Sequence, residues 1–88
     1  GRDGEALEGL RSTLARRTAT LGPEHPSTLQ NRLLVGGRLL ALERHAEAHE
    51  HAVDLATTTA RVLGPEDPLT LDARDHLAAT LRALGRFD

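Results

Sequence analysis

The chain of 88 residues contains no cysteine, tryptophan, tyrosine, methionine, lysine or isoleucine, and Phe87 is its only phenylalanine. Without cysteine there is no disulfide framework, no thiolate nucleophile and no cysteine-type zinc site. The apolar runs are far shorter than the roughly 20 residues that a membrane-spanning helix needs. No charged-then-apolar leader opens the sequence. We therefore expect no membrane association and take a cytoplasmic location as the default interpretation.

The charges of the chain are balanced and well mixed. There are 11 basic residues, all arginine, and 13 acidic residues, which gives a formal net charge of −2. A polybasic arm and an aromatic platform for base stacking are both missing, so nucleic-acid binding is not expected. Leucine and alanine carry the apolar content, and this usage favours helices over strands. Arginine without lysine also fits a GC-rich bacterial source.

One loop sequence occurs twice. LGPEHPSTL spans Leu21 to Leu29 and LGPEDPLTL spans Leu63 to Leu71, a displacement of 42 residues. Self-similarity at a fixed period of this size is typical of stacked supersecondary units. The period predicts a single array over residues 1–88, made of repeat units 1–42 and 43–84 and the start of a further unit at residues 85–88.

Each unit is predicted to contain two helices. In the repeated loop, glycine ends one helix and the second proline suits the first turn of the next. Ser27 with Gln30 fits a capping box, and Asp67 is the N-cap in the second copy. Leucines recur at helical spacing after each loop. The pattern predicts four helices, near residues 4–20, 27–42, 46–62 and 69–84.

These features resemble the tetratricopeptide repeat, in the 42-residue form known from kinesin light chains and from many bacterial multidomain regulators. The resemblance rests on the two loops, the helix stretches RLLVGGRLLAL and RDHLAATLRAL, and GRFD at residues 85–88. The period alone also allows HEAT-type repeats of about 40–47 residues. The resemblance implies an all-α fold, a right-handed array of antiparallel helix pairs. It places small packing residues at Gly36, Ala78 and Ala48, and Glu43 where the other copies have the turn glycine.

The string HAEAHEH contains His45, His49 and His51. His45 and His49 are four residues apart, so they share a helix face and could clamp a divalent metal. Two ligands leave a closed tetrahedral site unfinished, and His45 also falls on the aromatic position of the family's turn. We therefore predict no metal and no other cofactor.

A catalytic constellation is not apparent. Asp75 and His76 are adjacent, but Ser12 and Ser27 are interpreted as surface or cap residues and supply no nucleophile. General acid–base catalysis needs a pocket that shifts pKa values, and a thin two-layer helical array rarely forms one. The LGPE loops also lack the Gly-Lys-Ser/Thr continuation of a phosphate cradle. We expect no enzymatic activity.

The resemblance implies a groove on the concave side of the array, lined by the first helix of each pair and suited to a peptide or helix. On the family's register, the groove residues of this chain are Gln30, Leu33, Gly37, Leu40, Ala41, Asp72, Asp75, His76, Ala79 and Arg82. For Leu33 and Leu40, burial against a neighbouring helix is the alternative.

The expected function is therefore protein–protein interaction or scaffolding, as part of a larger bacterial regulatory protein with a protein or peptide partner. The alternative is a self-associating structural element, a homo-oligomer formed through exposed terminal helices.

Overall fold

The computed structural model describes residues 2–85, apart from the side chain of Asp3. This part of the chain contains no strand and forms four α-helices, α1 (Arg2–Leu21), α2 (Pro26–Ala41), α3 (His45–Leu63) and α4 (Pro68–Ala83). The all-α prediction is confirmed, and every helix end lies within two residues of its predicted position. The predicted turn residues Gly1 and Phe87 lie outside the described residues, and the division into units 1–42 and 43–84 stays a prediction.

Two N-caps show where the sequence prediction holds and where it fails. Asp67 caps α4 as predicted, and its Oδ1 accepts a hydrogen bond from the Leu69 N–H at 2.9 Å. The capping box predicted at Ser27 and Gln30 is wrong. The N-cap of α2 is His25, whose Nδ1 accepts a hydrogen bond from the Ser27 N–H at 3.0 Å. A neutral imidazole nitrogen can accept a hydrogen bond, so His25 does what Asp67 does 42 residues later.

The core consists of two clusters of buried side chains that share α2 and α3. The first contains Leu7, Val35, Leu39 and Ala48, and the second contains Leu29, Leu55, Leu69 and Ala73. Leu7 near the start of α1 meets Leu39 near the end of α2, so consecutive helices run antiparallel. Helix α2 also contacts α4. The array is only 16 Å thick across its Cα atoms, so its clefts are shallow and open at the surface.

The turn between α2 and α3 requires a left-handed backbone. Glu43 has a φ of 61°, and Gly85, 42 residues later, has a φ of 69°. A positive φ angle raises the conformational energy of a residue that has a Cβ atom, whereas glycine adopts it at little cost. The prediction that Glu43 stands where the repeat uses glycine is therefore confirmed by the backbone.

Replacing Glu43 with glycine should raise the free energy of unfolding by up to about 1 kcal/mol, because it relieves this strain. The measurement is urea unfolding followed by far-UV circular dichroism. Glu43→Ala is the matched control, since it removes the carboxylate but keeps the Cβ and should give little of the gain. A less stable glycine variant would show that the turn does not store the strain that its φ angle indicates.

Candidate interaction surface

An open cleft lies between the first turns of α2 and α4. Its volume is about 410 Å³. It brings together Gln30 and Asp72, two of the predicted groove residues, because they occupy equivalent positions one turn into their helices. The residues that line it are Pro26, Gln30, Leu63, Asp67, Pro68, Leu69 and Asp72.

The cleft carries negative charge without a balancing cation among its lining residues. Its ionisable groups are Asp67 and Asp72. The Asp67 carboxylate is engaged as the cap of α4. The exposed Asp72 carboxylate makes no hydrogen bond or ion pair with the residues of the 2–85 segment. A ligand group with positive charge or hydrogen-bond donors would pair with Asp72, and Leu63 and Leu69 offer apolar surface beside it.

Sequence reasoning did not place Leu63, Asp67, Pro68 and Leu69 in this cleft. A signal was present, because the repeated loop LGPEDPL connects α3 to α4 and must pass the end of the groove. The 42-residue period identifies equivalent positions on the helices, but it does not predict which loop residues lie beside those positions.

The remaining predicted groove residues divide into buried and exposed positions. Leu33 packs against the second core cluster and Leu40 packs against the first, and both side chains are half-buried. Their packing matches the alternative of burial against a neighbouring helix. Gly37, Ala41, Asp75 and Arg82 are exposed, whereas Ala79 is half-buried.

His76 is half-buried at the contact between α4 and α2. Its Nε2 atom is buried without a hydrogen-bond partner, and a Cβ atom added to Gly36 would lie 2.5 Å from it. The small residue that the family register placed at Gly36 therefore makes room for the imidazole ring. Burial lowers the pKa of His76 below its ordinary value, and the nearby His51 lowers the pKa further.

The stability of the fold should fall as the pH falls from above 7 through the ordinary histidine pKa of about 6.5. Below that pH the unfolded chain binds a proton at His76 that the folded chain resists, so acid favours unfolding. The pKa of His51 is also lowered, by burial first and then by Arg32, so His51 contributes with the same sign.

This pH dependence can be assigned by substitution. Thermal unfolding of the wild type, His76→Leu, His51→Gln and the double variant is compared from pH 7.5 down to about pH 5, above the ordinary range of carboxyl pKa values. Each single variant should flatten the curve, and the double variant should be the flattest. Parallel curves for wild type and His76→Leu would contradict the contribution of His76.

The histidines of the HAEAHEH string face different surroundings. His49 Nδ1 lies 3.2 Å from Thr80 Oγ1 on α4, whereas His51 lines a cleft between α1 and α3. Across residues 2–85, no group of three His, Cys, Asp or Glu side chains is arranged to hold a metal ion. His49 thus contributes to the packing of α3 against α4, and His51 contributes to the wall of the cleft between α1 and α3.

The cleft between α1 and α3 is slightly larger, about 450 Å³, and was not predicted from the sequence. Its lining residues are Leu14, Thr18, Pro23, Arg32, Glu50, His51 and Asp54. Arg32 forms an ion pair with Asp54 inside this cleft. This pair neutralises two of the charges in the cleft and leaves the exposed carboxylate of Glu50 without an ion pair among the described residues.

None of the described helices has the length and apolar character needed to cross a membrane.

Antiparallel helices that pack successively through small and apolar residues define a helical-repeat array. A family model described as tetratricopeptide repeat matches residues 1–27, which covers α1, the repeated loop and the start of α2. This match over the first part of the chain supports the predicted resemblance to the tetratricopeptide repeat. No match was found among curated proteins or among solved structures.

Proposed function

We propose that this chain is a protein-interaction module that binds a peptide or helix along the α2–α4 face. Tetratricopeptide repeats generally mediate protein–protein interaction. The observation that carries the proposal here is the open cleft in which Asp72 lies unpaired beside Gln30. The partner segment would place an arginine or lysine on Asp72 and an apolar side chain against Leu63 and Leu69.

The proposed role is binding without catalysis, because the family is a non-catalytic interaction module. A cytoplasmic location within a larger bacterial regulatory protein also belongs to the proposal. It is supported by the arginine-only composition and by the resemblance to the repeats of bacterial regulators.

The test uses two fluorescein-labelled peptide sets of matched length and leucine content, one carrying arginine and the other glutamate. Fluorescence anisotropy should show binding of the arginine set only. Asp72→Asn should weaken this binding by about tenfold, or about 1.4 kcal/mol. Glu66→Gln is the matched control, because Glu66 is exposed in the same loop region but does not line the cleft. Equal binding of both sets, or an unaffected Asp72→Asn variant, would contradict the proposal.

A second candidate function is self-association. Leu71 on α4 is 47% exposed, whereas Leu29, its equivalent 42 residues earlier, is fully buried. An exposed leucine at a position built for burial favours a partner for this face of α4.

A further inference from the structure

The chain contains its own example of one unit docking on the next. Helix α2 places Leu29, Leu33 and Gly36 against the pair formed by α3 and α4. Leu29 and Leu33 pack in the second core cluster, and Gly36 lies against the ring of His76. The receiving residues on α3 and α4 are Leu55, Leu69, Ala73 and His76.

The docking residues of α2 recur on α4, 42 residues later, as Leu71, Asp75 and Ala78. Leu71 and Asp75 are exposed, and Ala78 is half-buried. Asp75 makes no ion pair or hydrogen bond within the described part of the chain. We call this set the α4 outer face. Among the described residues, no helix pair packs on this face, whereas α3 and α4 pack on the equivalent face of α2.

The receiving residues recur 42 residues earlier, as Thr13, Ser27, Asn31 and Leu34 on α1 and α2. All four line one open cleft of about 190 Å³, together with Leu10, Arg17 and Gln30. We call it the α1–α2 cleft. Leu34 is 48% exposed there, whereas His76 at the equivalent position is half-buried against Gly36.

The two uncovered surfaces differ from the internal interface in a correlated way. On the docking side, one apolar residue becomes acidic, since Asp75 stands at the position of Leu33. On the receiving side, three apolar residues become hydrogen-bond donors, since Thr13, Ser27 and Asn31 stand at the positions of Leu55, Leu69 and Ala73.

The remaining features of the two surfaces are complementary as well. Leu71 keeps the leucine of the equivalent position Leu29. The small residue Ala78 stands at the position of Gly36 and the large residue Leu34 at the position of His76, so a second copy could repeat the contact that Gly36 makes with His76. The buried Asn31 Oδ1 has no hydrogen-bond partner, so this amide has bonding capacity left, and a reversed amide would donate from the same place. Arg17 lines the same cleft and supplies positive charge near the position expected for Asp75.

We propose that the α4 outer face of one copy docks in the α1–α2 cleft of a second copy, head to tail. The register is the one that α2 uses on α3 and α4 within the chain. A second copy is the partner because Asp75 on its α4 outer face would lie opposite the hydrogen-bond donors of the cleft, which are Thr13, Ser27 and Asn31. This inference rests on self-association, the second candidate function, and is independent of peptide binding at Asp72.

The test uses one variant that blocks each surface. Asp75→Arg blocks the α4 outer face and Leu34→Glu blocks the α1–α2 cleft, and both residues are exposed, so each variant should keep the wild-type circular dichroism spectrum. Sedimentation velocity at increasing concentration should show wild-type species growing beyond a dimer, because head-to-tail contacts leave free ends. Each variant alone should associate at least about tenfold more weakly.

The equimolar mixture of the two variants is the decisive sample. Each variant keeps the surface that the other has lost, so the mixture should form a one-to-one heterodimer and stop there. Native mass spectrometry would identify it. Asp72→Asn should associate like the wild type, which separates this proposal from peptide binding in the α2–α4 cleft. A wild type that stays monomeric, a mixture that stays monomeric, or association lost in only one of the two variants would overturn the proposal.

Discussion

The Leu29→Ala variant is expected to lose about 2–5 kcal/mol of unfolding free energy. Leu29 is fully buried where α2, α3 and α4 meet, and it packs with Leu55, Leu69 and Ala73. Truncation removes apolar contacts and leaves a cavity that three helices would have to collapse to fill. Since small domains are stable by only about 5–15 kcal/mol, urea unfolding followed by circular dichroism should show a large decrease in the midpoint.

Leu71→Ala is the control supplied by the repeat itself. Leu71 occupies the same position of the period as Leu29 but is 47% exposed, so its truncation should cost less than about 1 kcal/mol. Both variants are measured at a concentration low enough to keep the chain monomeric. Equal losses for the two variants would mean that the α4 outer face is covered in the monomer and would contradict the described packing.

The 42-residue repeat predicted the fold because each loop contains a glycine that ends one helix and a proline that suits the first turn of the next. Proline and glycine act locally, so helix ends followed from the residues of the two loops alone. The buried residues Leu29 and Leu39 are among the leucines that recur at helical spacing after the first loop. The capping box failed because His25 competes for the same backbone N–H, and its ring nitrogen is placed where the second copy has Asp67.

The candidate site was predictable only in part. Gln30 and Asp72 were found because they hold equivalent positions in the period, which the fold places side by side. The contact of His76 with Gly36 was not found, because the family register marks a small residue without saying which side chain fills the space. Leu33 and Leu40 were assigned to the groove, yet whether such a residue faces a groove or a neighbouring helix depends on a rotation of the helix that spacing does not determine.

Replacing Ala48 with tryptophan is expected to destabilise the chain by about 3 kcal/mol or more. Ala48 is fully buried in the first core cluster, where α3 approaches α2 against Val35 and Leu39. Close-packed interiors have no space for an indole ring, so the helices must move apart and lose contacts along their length. The readouts are the urea midpoint and the helical signal at 222 nm, a standard wavelength for far-UV circular dichroism.

Ala60→Trp on the same helix separates the packing effect from the lower helix propensity of tryptophan. Ala60 is exposed, so this substitution pays only the propensity difference, less than about 0.7 kcal/mol. A large loss at Ala48 with a small loss at Ala60 would show that α2 and α3 depend on a small residue at their contact. If the two tryptophan variants were equally stable, the close approach of these helices would not be what holds the first cluster together.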